Sequence, residues 1–315
     1  MLLKSADDKS RRLALLEDLQ RSPVLDFTQK KWLKEELMRQ KKGIQGERES
    51  AFYLNSHFKD GVNHVVLHDL RFVFDGEAAQ IDHLIINRAF GIYLIETKNY
   101  AGNLVINDHG EFTVQYDDFQ FGIPSPIEQS RRHERVLSKV LERLEITGRT
   151  QKEIDFQHVV MLHPKAIITR PSVNAFDTSN VIKADQFPSW HSQYTDKISV
   201  GGVFKLALNM RVLDTIKEWA EKLVRQHRPV DLLALPDFMQ PKASIKQTYV
   251  SPVDRPPHLQ TLIAAGPIVS SPEPAKRLIC GHCASKISFL EGKFCWNNTV
   301  RFKGSQYCRE HQALF

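Results

Sequence analysis

Three ionisable side chains sit inside two apolar runs at residues 81–100, IDHLIINRAFGIYLIETKNY. Asp82 heads the first run, and Glu96 and Lys98 lie in the second. Alternate side chains of a strand share a face, so Glu96 and Lys98 project together while Ile95 and Thr97 take the other side. The turn NRAFG makes the two runs antiparallel neighbours. Asp82 precedes Asn87 by five positions and Glu96 follows Gly91 by five, which brings both carboxylates to one end of the pair. Two carboxylates with a strand carbonyl form a hard-oxygen site suited to Mg²⁺, or Mn²⁺, an ion that keeps several waters and binds a substrate phosphate. A neighbouring lysine would orient one of those waters or offset charge developing on the phosphoryl group. The chemistry within reach is phosphodiester hydrolysis.

A second set of ligand types closes the chain. All four cysteines fall between residues 280 and 308, a local cluster unlike the dispersed framework of a secreted disulfide domain. Cys280 and Cys283 have the spacing at which one tight turn brings two thiolates to a zinc ion, and Cys308 with His311 repeats it after 24 intervening residues. This Cys₃His set is the expected structural Zn²⁺ site, with a Cys₄ set using Cys295 in place of His311 left open. A tail of about 40 residues cannot easily build a core without such a clamp. Between 276 and 315 there are seven Lys or Arg against two Asp or Glu, interleaved with Phe294, Trp296, Phe302 and Tyr307. That mixture suits a nucleic-acid backbone and exposed bases, although some of the aromatics must form the tail's own small core.

The elements that would position these residues follow from periodicity and turn chemistry. Leucines at 13, 15, 16 and 19, followed by KKWLKEELMRQKK, predict two helices separated at Pro23. A further helix is expected to begin around GIQGERE, with Glu47 in its first turn and Gly61 as its stop. HVVLHDLRFVF, AQIDHLIIN and GIYLIETKNY read as three strands, followed by a small hairpin. Ser125, Pro126 and Glu128 then open a helix with an apolar stripe at Leu137, Val140, Leu141 and Leu144. A strand FQHVVMLHP comes next, then NVIKADQF and a long helix at about 202–226. The central order is helix, three strands, helix, strand.

The 315 residues and 25% charged content suit a folded chain with one main domain and smaller attachments. The expected layout is an N-terminal helical arm (1–42), a catalytic-type domain (43–227), a linker (228–275) and the zinc-binding tail (276–315). Nine of the fifteen prolines lie between 229 and 274, which marks the linker. No apolar run approaches the roughly 20 residues that span a bilayer, and the N-terminus lacks a signal-peptide core. A cytoplasmic location without membrane attachment is expected. The formal charge of +6 suits a polyanionic partner without identifying one.

Four blocks, GIQGERE, QIDHLIIN, GIYLIETKNYAG and SPIEQSRRH, together resemble the NERD, or nuclease-related, domain over roughly residues 41–163. Asp82 with Glu96-Thr97-Lys98 also resembles the motif of the restriction-endonuclease-like PD-(D/E)xK nuclease superfamily. The resemblance implies an α/β fold with a restriction-endonuclease-like core (helix, three strands, helix, strand), here with N-terminal helices and a small C-terminal zinc-binding domain. It implies a Mg²⁺-dependent nuclease acting on nucleic acid, with DNA the expected substrate, Asp82 and Glu96 as metal ligands and Lys98 as catalytic lysine. By the same resemblance Glu47 contributes to the metal or its water shell, and Gln129 touches the site or the nucleic-acid backbone. A non-catalytic adaptor built on the same fold is the alternative. Strandedness, end preference, sequence preference and oligomeric state, including a possible homo-oligomer, are left open.

Overall fold

The computed structural model describes residues 1–100, 102–148, 154–239, 278–283, 285–302 and 305–314. They fall into two compact units, Met1–Ile245 and Lys246–Phe315. Of the expected linker, residues 240–275 lie outside the described residues.

The first unit opens with β1 (Leu2–Lys4), α1 (Ser10–Gln20) and α2 (Phe27–Phe58), followed by β2 (His64–Phe74), β3 (Glu77–Asn87) and β4 (Gly91–Lys98). Three short strands, β5 (Asn103–Ile106), β6 (Phe112–Gln115) and β7 (Gln120–Ile123), lead into α3 (Pro126–Arg143) and β8 (Asp155–Leu162). After β9 (Ile168–Thr169) and β10 (Val181–Lys183) come α4 (Phe187–Asp196), α5 (Val200–Asn209) and α6 (Leu213–Gln226). The main sheet has the order β1-β2-β3-β4-β8-β10. β2, β3 and β4 are antiparallel neighbours, whereas β8 runs parallel to β4 and β10 parallel to β8. A second sheet, β7-β6-β5-β9, holds the hairpin.

Both faces of the main sheet are covered, which explains the near-continuous apolar sequence of β3 and β4. On one face Leu84, Ile92 and Leu94 pack with Leu137, Val140 and Leu141 of α3 and with Ile216 and Trp219 of α6. On the other, Ile85, Tyr93 and Ile95 pack with Leu54 and Phe58 of α2 and Phe187 of α4. Ser125 caps α3 by accepting from the Glu128 backbone N–H at 3.4 Å, with Pro126 at the helix start.

Two expectations change. α2 does not begin near Gly43: it starts at Asp26, whose side chain forms a capping box with Gln29, and runs unbroken through both glycines. The expected boundary at 42/43 therefore falls inside a helix, and Glu47 lies in its middle. Two helical glycines cost about 1 kcal/mol each, but Leu33, Gly46, Ser50, Leu54 and Phe58 are buried along this helix, and that packing outweighs propensity. The single helix expected at 202–226 is two, α5 and α6. At the break Arg211 N donates to Arg88 O at 2.8 Å, and Arg88 Nε donates to Arg211 O at 2.7 Å, docking it on the β3–β4 turn.

The second unit contains α7 (Phe289–Asn297) and α8 (Thr299–Phe302), with an antiparallel bridge between Ile279 and Lys286. Among the described residues, no helix is long and apolar enough to cross a membrane.

Candidate active site

The β3–β4 ladder runs from the turn as far as the pair His83 and Ile95, and the next pair in register would be Asp82 opposite Glu96. There the strands part. Asp82 Oδ2 accepts from Thr97 N at 2.8 Å, so a carboxylate takes the place of a ladder bond. On the opposite face His83 Nε2 lies 3.2 Å from Thr97 Oγ1, tying the fork from behind.

Glu96 and Lys98 share the face turned to α3. Lys98 Nζ donates to Glu96 Oε1 at 2.7 Å and to Gln129 Oε1, in the first turns of α3, at 3.1 Å. One turn further along α3, His133 Nδ1 is 3.8 Å from Glu96 Oε2. Glu47 enters from α2, because Gly46 lets that helix approach the end of β4. A β-carbon added at Gly46 would stand 2.6 Å from Asn99 Cβ, closer than real contacts allow. Asn99 fixes the approach by donating Nδ2 to Lys42 O at 2.9 Å. Glu47, Asp82, Glu96 and Lys98 together line an open cavity of about 540 Å³, with Arg39, Lys42, Tyr100 and Tyr116 on its walls.

Burial and mutual repulsion govern the charges. Burial pushes the Asp82 carboxyl well above the usual carboxylate range, and the charges of Glu96 and Glu47 push it further. Glu96 is also raised, by burial first and with Glu47 adding to it, although the Lys98 ammonium opposes the shift. For Lys98, burial works to lower the pKa, but the Glu96 carboxylate, with Tyr100 and Asp82 adding to it, more than offsets this and the net displacement is upward. His133 is held neutral at about 4, by burial and then by the Arg132 and Lys98 charges. Carboxylates raised by burial and by neighbouring negative charge are a donor set whose repulsion a divalent cation would relieve. Asp82, Glu96 and Glu47 share the cavity, with Glu47 ion-paired to Lys9 at 2.8 Å.

Each residue singled out on this domain, Asp82, Glu96, Lys98, Glu47 and Gln129, lies at this fork. Gln80, two positions before Asp82 on β3, lies outside this cavity, with its Nε2 3.5 Å from Asp69 Oδ1. Lys9 was not foreseen: its Nζ donates to Glu47 Oε2 at 2.8 Å and lies 3.3 Å from Asp69 Oδ2. Nothing in local spacing signals that long-range contact. His133 follows Gln129 by four positions, the spacing of one helix face, and could have been read from that. Asn99, one residue past the end of β4, also carries a positioning role through its bond to Lys42 O.

In the second unit, ligand atoms of Cys280, Cys283, Cys308 and His311 all lie within 4.8 Å of one another. Cys283 Sγ is 3.9 Å from Cys308 Sγ, and His311 Nδ1 is 3.0 Å from Cys308 Sγ and 3.8 Å from Cys280 Sγ. Tetrahedral Zn–S bonds of about 2.3 Å give edges near 3.8 Å, so the set has the right dimensions for one zinc ion. Cys295 stands outside it, fully buried, with its sulfur accepting from Tyr307 N at 3.3 Å. The alternative Cys₄ set therefore has no support in the geometry.

Residues 42–163 match the family model described as "Nuclease-related domain", NERD. No curated protein and no solved structure matches the chain.

Proposed function

We propose, from the premise that this chain carries a nuclease-related domain at residues 42–163, that it is a divalent-metal-dependent phosphodiester hydrolase acting on DNA. The observation that carries the reading is the meeting of Asp82, Glu96 and Lys98 at one fork, on the wall of a cavity open to substrate. Asp82 and Glu96 would hold Mg²⁺ or Mn²⁺, which when bound polarises a phosphoryl oxygen and acidifies a water.

The remaining work falls to the chain's own groups. Lys98, gripped by Glu96 and Gln129, presents a fixed ammonium. It can orient the attacking water and neutralise charge gathering on the phosphoryl oxygens, and a preorganised donor of this kind needs no rearrangement at the moment of reaction. Glu47 adds a third carboxylate, and Gln129 holds the lysine against rotation. Lys42 on the cavity wall supplies positive charge for the flanking phosphates. In the second unit, Cys280, Cys283, Cys308 and His311 would hold a structural zinc ion, and the basic tail would add non-specific attraction to the backbone.

The test is cleavage of plasmid, linear duplex and single-stranded DNA with Mg²⁺ or Mn²⁺. Asp82→Asn and Glu96→Gln should each lower the rate by roughly 10²-fold or more. Salt-sensitive binding without cleavage in any ion would replace this reading with a non-catalytic nucleic-acid adaptor.

A further inference from the structure

The hairpin beside the fork carries an unusual surface. Tyr116 directly follows β6, Phe119 lies in the turn and Phe121 on β7, with their rings almost parallel. Tyr116 and Phe119 stack at 4.7 Å between centroids and 15°, and Phe121 lies 6.2 Å from each at 18° and 14°. Phe119 is 60% exposed and Phe121 43% exposed. The turn is fixed by Tyr116 N donating to Phe119 O at 2.8 Å, and by the pairing of Gln115 with Gln120. Tyr116 and Phe119 cover one face of each other, so the hairpin offers a ligand the exposed area of Phe119 and Phe121, and exposed aromatic rings held parallel are a form in which proteins present stacking platforms to bases.

Position decides what the platform would take. Tyr116 lines the same cavity as Asp82, Glu96 and Lys98, so the stack begins at the wall of the proposed cleavage site and leads outward. On that wall Lys42 supplies positive charge for phosphates, while Arg39 is ion-paired with the buried Glu36. At the hairpin tip the sequence instead places Asp117 and Asp118, which repel a sugar–phosphate backbone. A strand following this path would keep its phosphates beside Lys42 and turn its bases to the rings. Paired bases inside a duplex have their faces covered by stacking and cannot do so.

The geometry points to Tyr116, Phe119 and Phe121 as a base-stacking platform that selects single-stranded nucleic acid, or the unpaired end of a duplex, for the adjoining site. This rests on the nuclease reading for its purpose but not for its detection, because stacking is measurable without cleavage. Binding of a fluorescent oligodeoxythymidylate and of a duplex of equal length is measured with the full zinc-loaded chain in buffer without Mg²⁺ or Mn²⁺, so that neither is cut and the tail keeps its zinc. The double variant Phe119→Leu, Phe121→Leu keeps apolar bulk but removes two ring faces. It should weaken single-strand binding by about tenfold or more while changing duplex binding less than twofold, and Phe119→Trp should restore or exceed the wild-type affinity. An oligoribonucleotide run in parallel shows whether the platform distinguishes sugars, and a matching loss there also supports it. Equal weakening of both strand forms, no weakening, or no single-strand binding by the wild type would overturn the platform, even if the protein cleaves DNA. Selective loss of single-strand binding in a protein that never cleaves would leave the platform standing and remove the nuclease reading.

Discussion

Asp82 shows what it costs to hold acids at a fork. Its carboxyl is raised by burial and by two neighbouring carboxylates. A folded-state value above the unfolded one means that the folded chain binds more protons through that window, so metal-free stability falls as pH rises above the ordinary carboxylate range. Asp82→Asn keeps an oxygen for Thr97 N and removes the charge. It should therefore raise the melting temperature of the metal-free protein, while lowering the cleavage rate by roughly 10²-fold or more. Calorimetry in EDTA checks this, and an unchanged or lowered melting temperature would contradict it. The triad of Asp82, Glu96 and Lys98 was legible because strand alternation is a local rule and the turn between the strands is short. Lys9 was not: it reaches Glu47 across 38 positions, through a path that only the packed fold defines.

At the scale of elements, the site depends on how closely α2 approaches β4. Gly46→Ala would drive a methyl group against Asn99, and overpacking of this kind costs typically about 1–3 kcal/mol. The variant should melt earlier and cleave more slowly, whereas Gly43→Ala, where an added carbon meets nothing within 4 Å, should stabilise the helix slightly. Parallel melts of the two distinguish close approach from simple helix propensity. The two glycines misled the sequence reading because they look like a turn. Only the buried stripe of α2 shows that tertiary contacts carry the helix across them.

A second seam joins α2, β4 and α4. His57 Nε2 lies 3.1 Å from His191 Nδ1, and His191 Nε2 lies 3.3 Å from the Tyr93 hydroxyl. Burial lowers His64 to about 3 and His191 to about 4, with neighbouring histidines adding to both, and burial lowers His57 as well. The unfolded chain takes up these protons first, so stability present above about pH 6.5 should fall as pH drops toward 4. His191→Phe should flatten that slope in urea melts at pH 7 and pH 5, and an unchanged slope would place the acid sensitivity elsewhere.

For the whole molecule, the division into two compact units has a direct consequence. Among its described residues the second unit buries a few side chains, Ile287, Cys295 and Phe302 among them, and a unit of that size needs a metal clamp. One zinc ion per chain is expected by elemental analysis. Cys308→Ser should lose it and Cys295→Ser retain it, and chelation should unfold the tail while the melt of the larger unit stays in place. The order helix, three strands, helix, strand and the Cys₃His set were both legible, since each rests on periodicity or spacing within a short stretch. The stacked hairpin was not, because three rings become parallel only once β6 and β7 pair.

The most direct measurement of the central claim is single-turnover DNA cleavage by wild type and Lys98→Ala, each in Mg²⁺ and in EDTA. Cleavage by the wild type only with the ion, and a loss of about 10²-fold or more in the variant, is the predicted result. Equal rates for the two proteins, or cleavage that persists in EDTA, would contradict a metal-dependent site built on Asp82, Glu96 and Lys98.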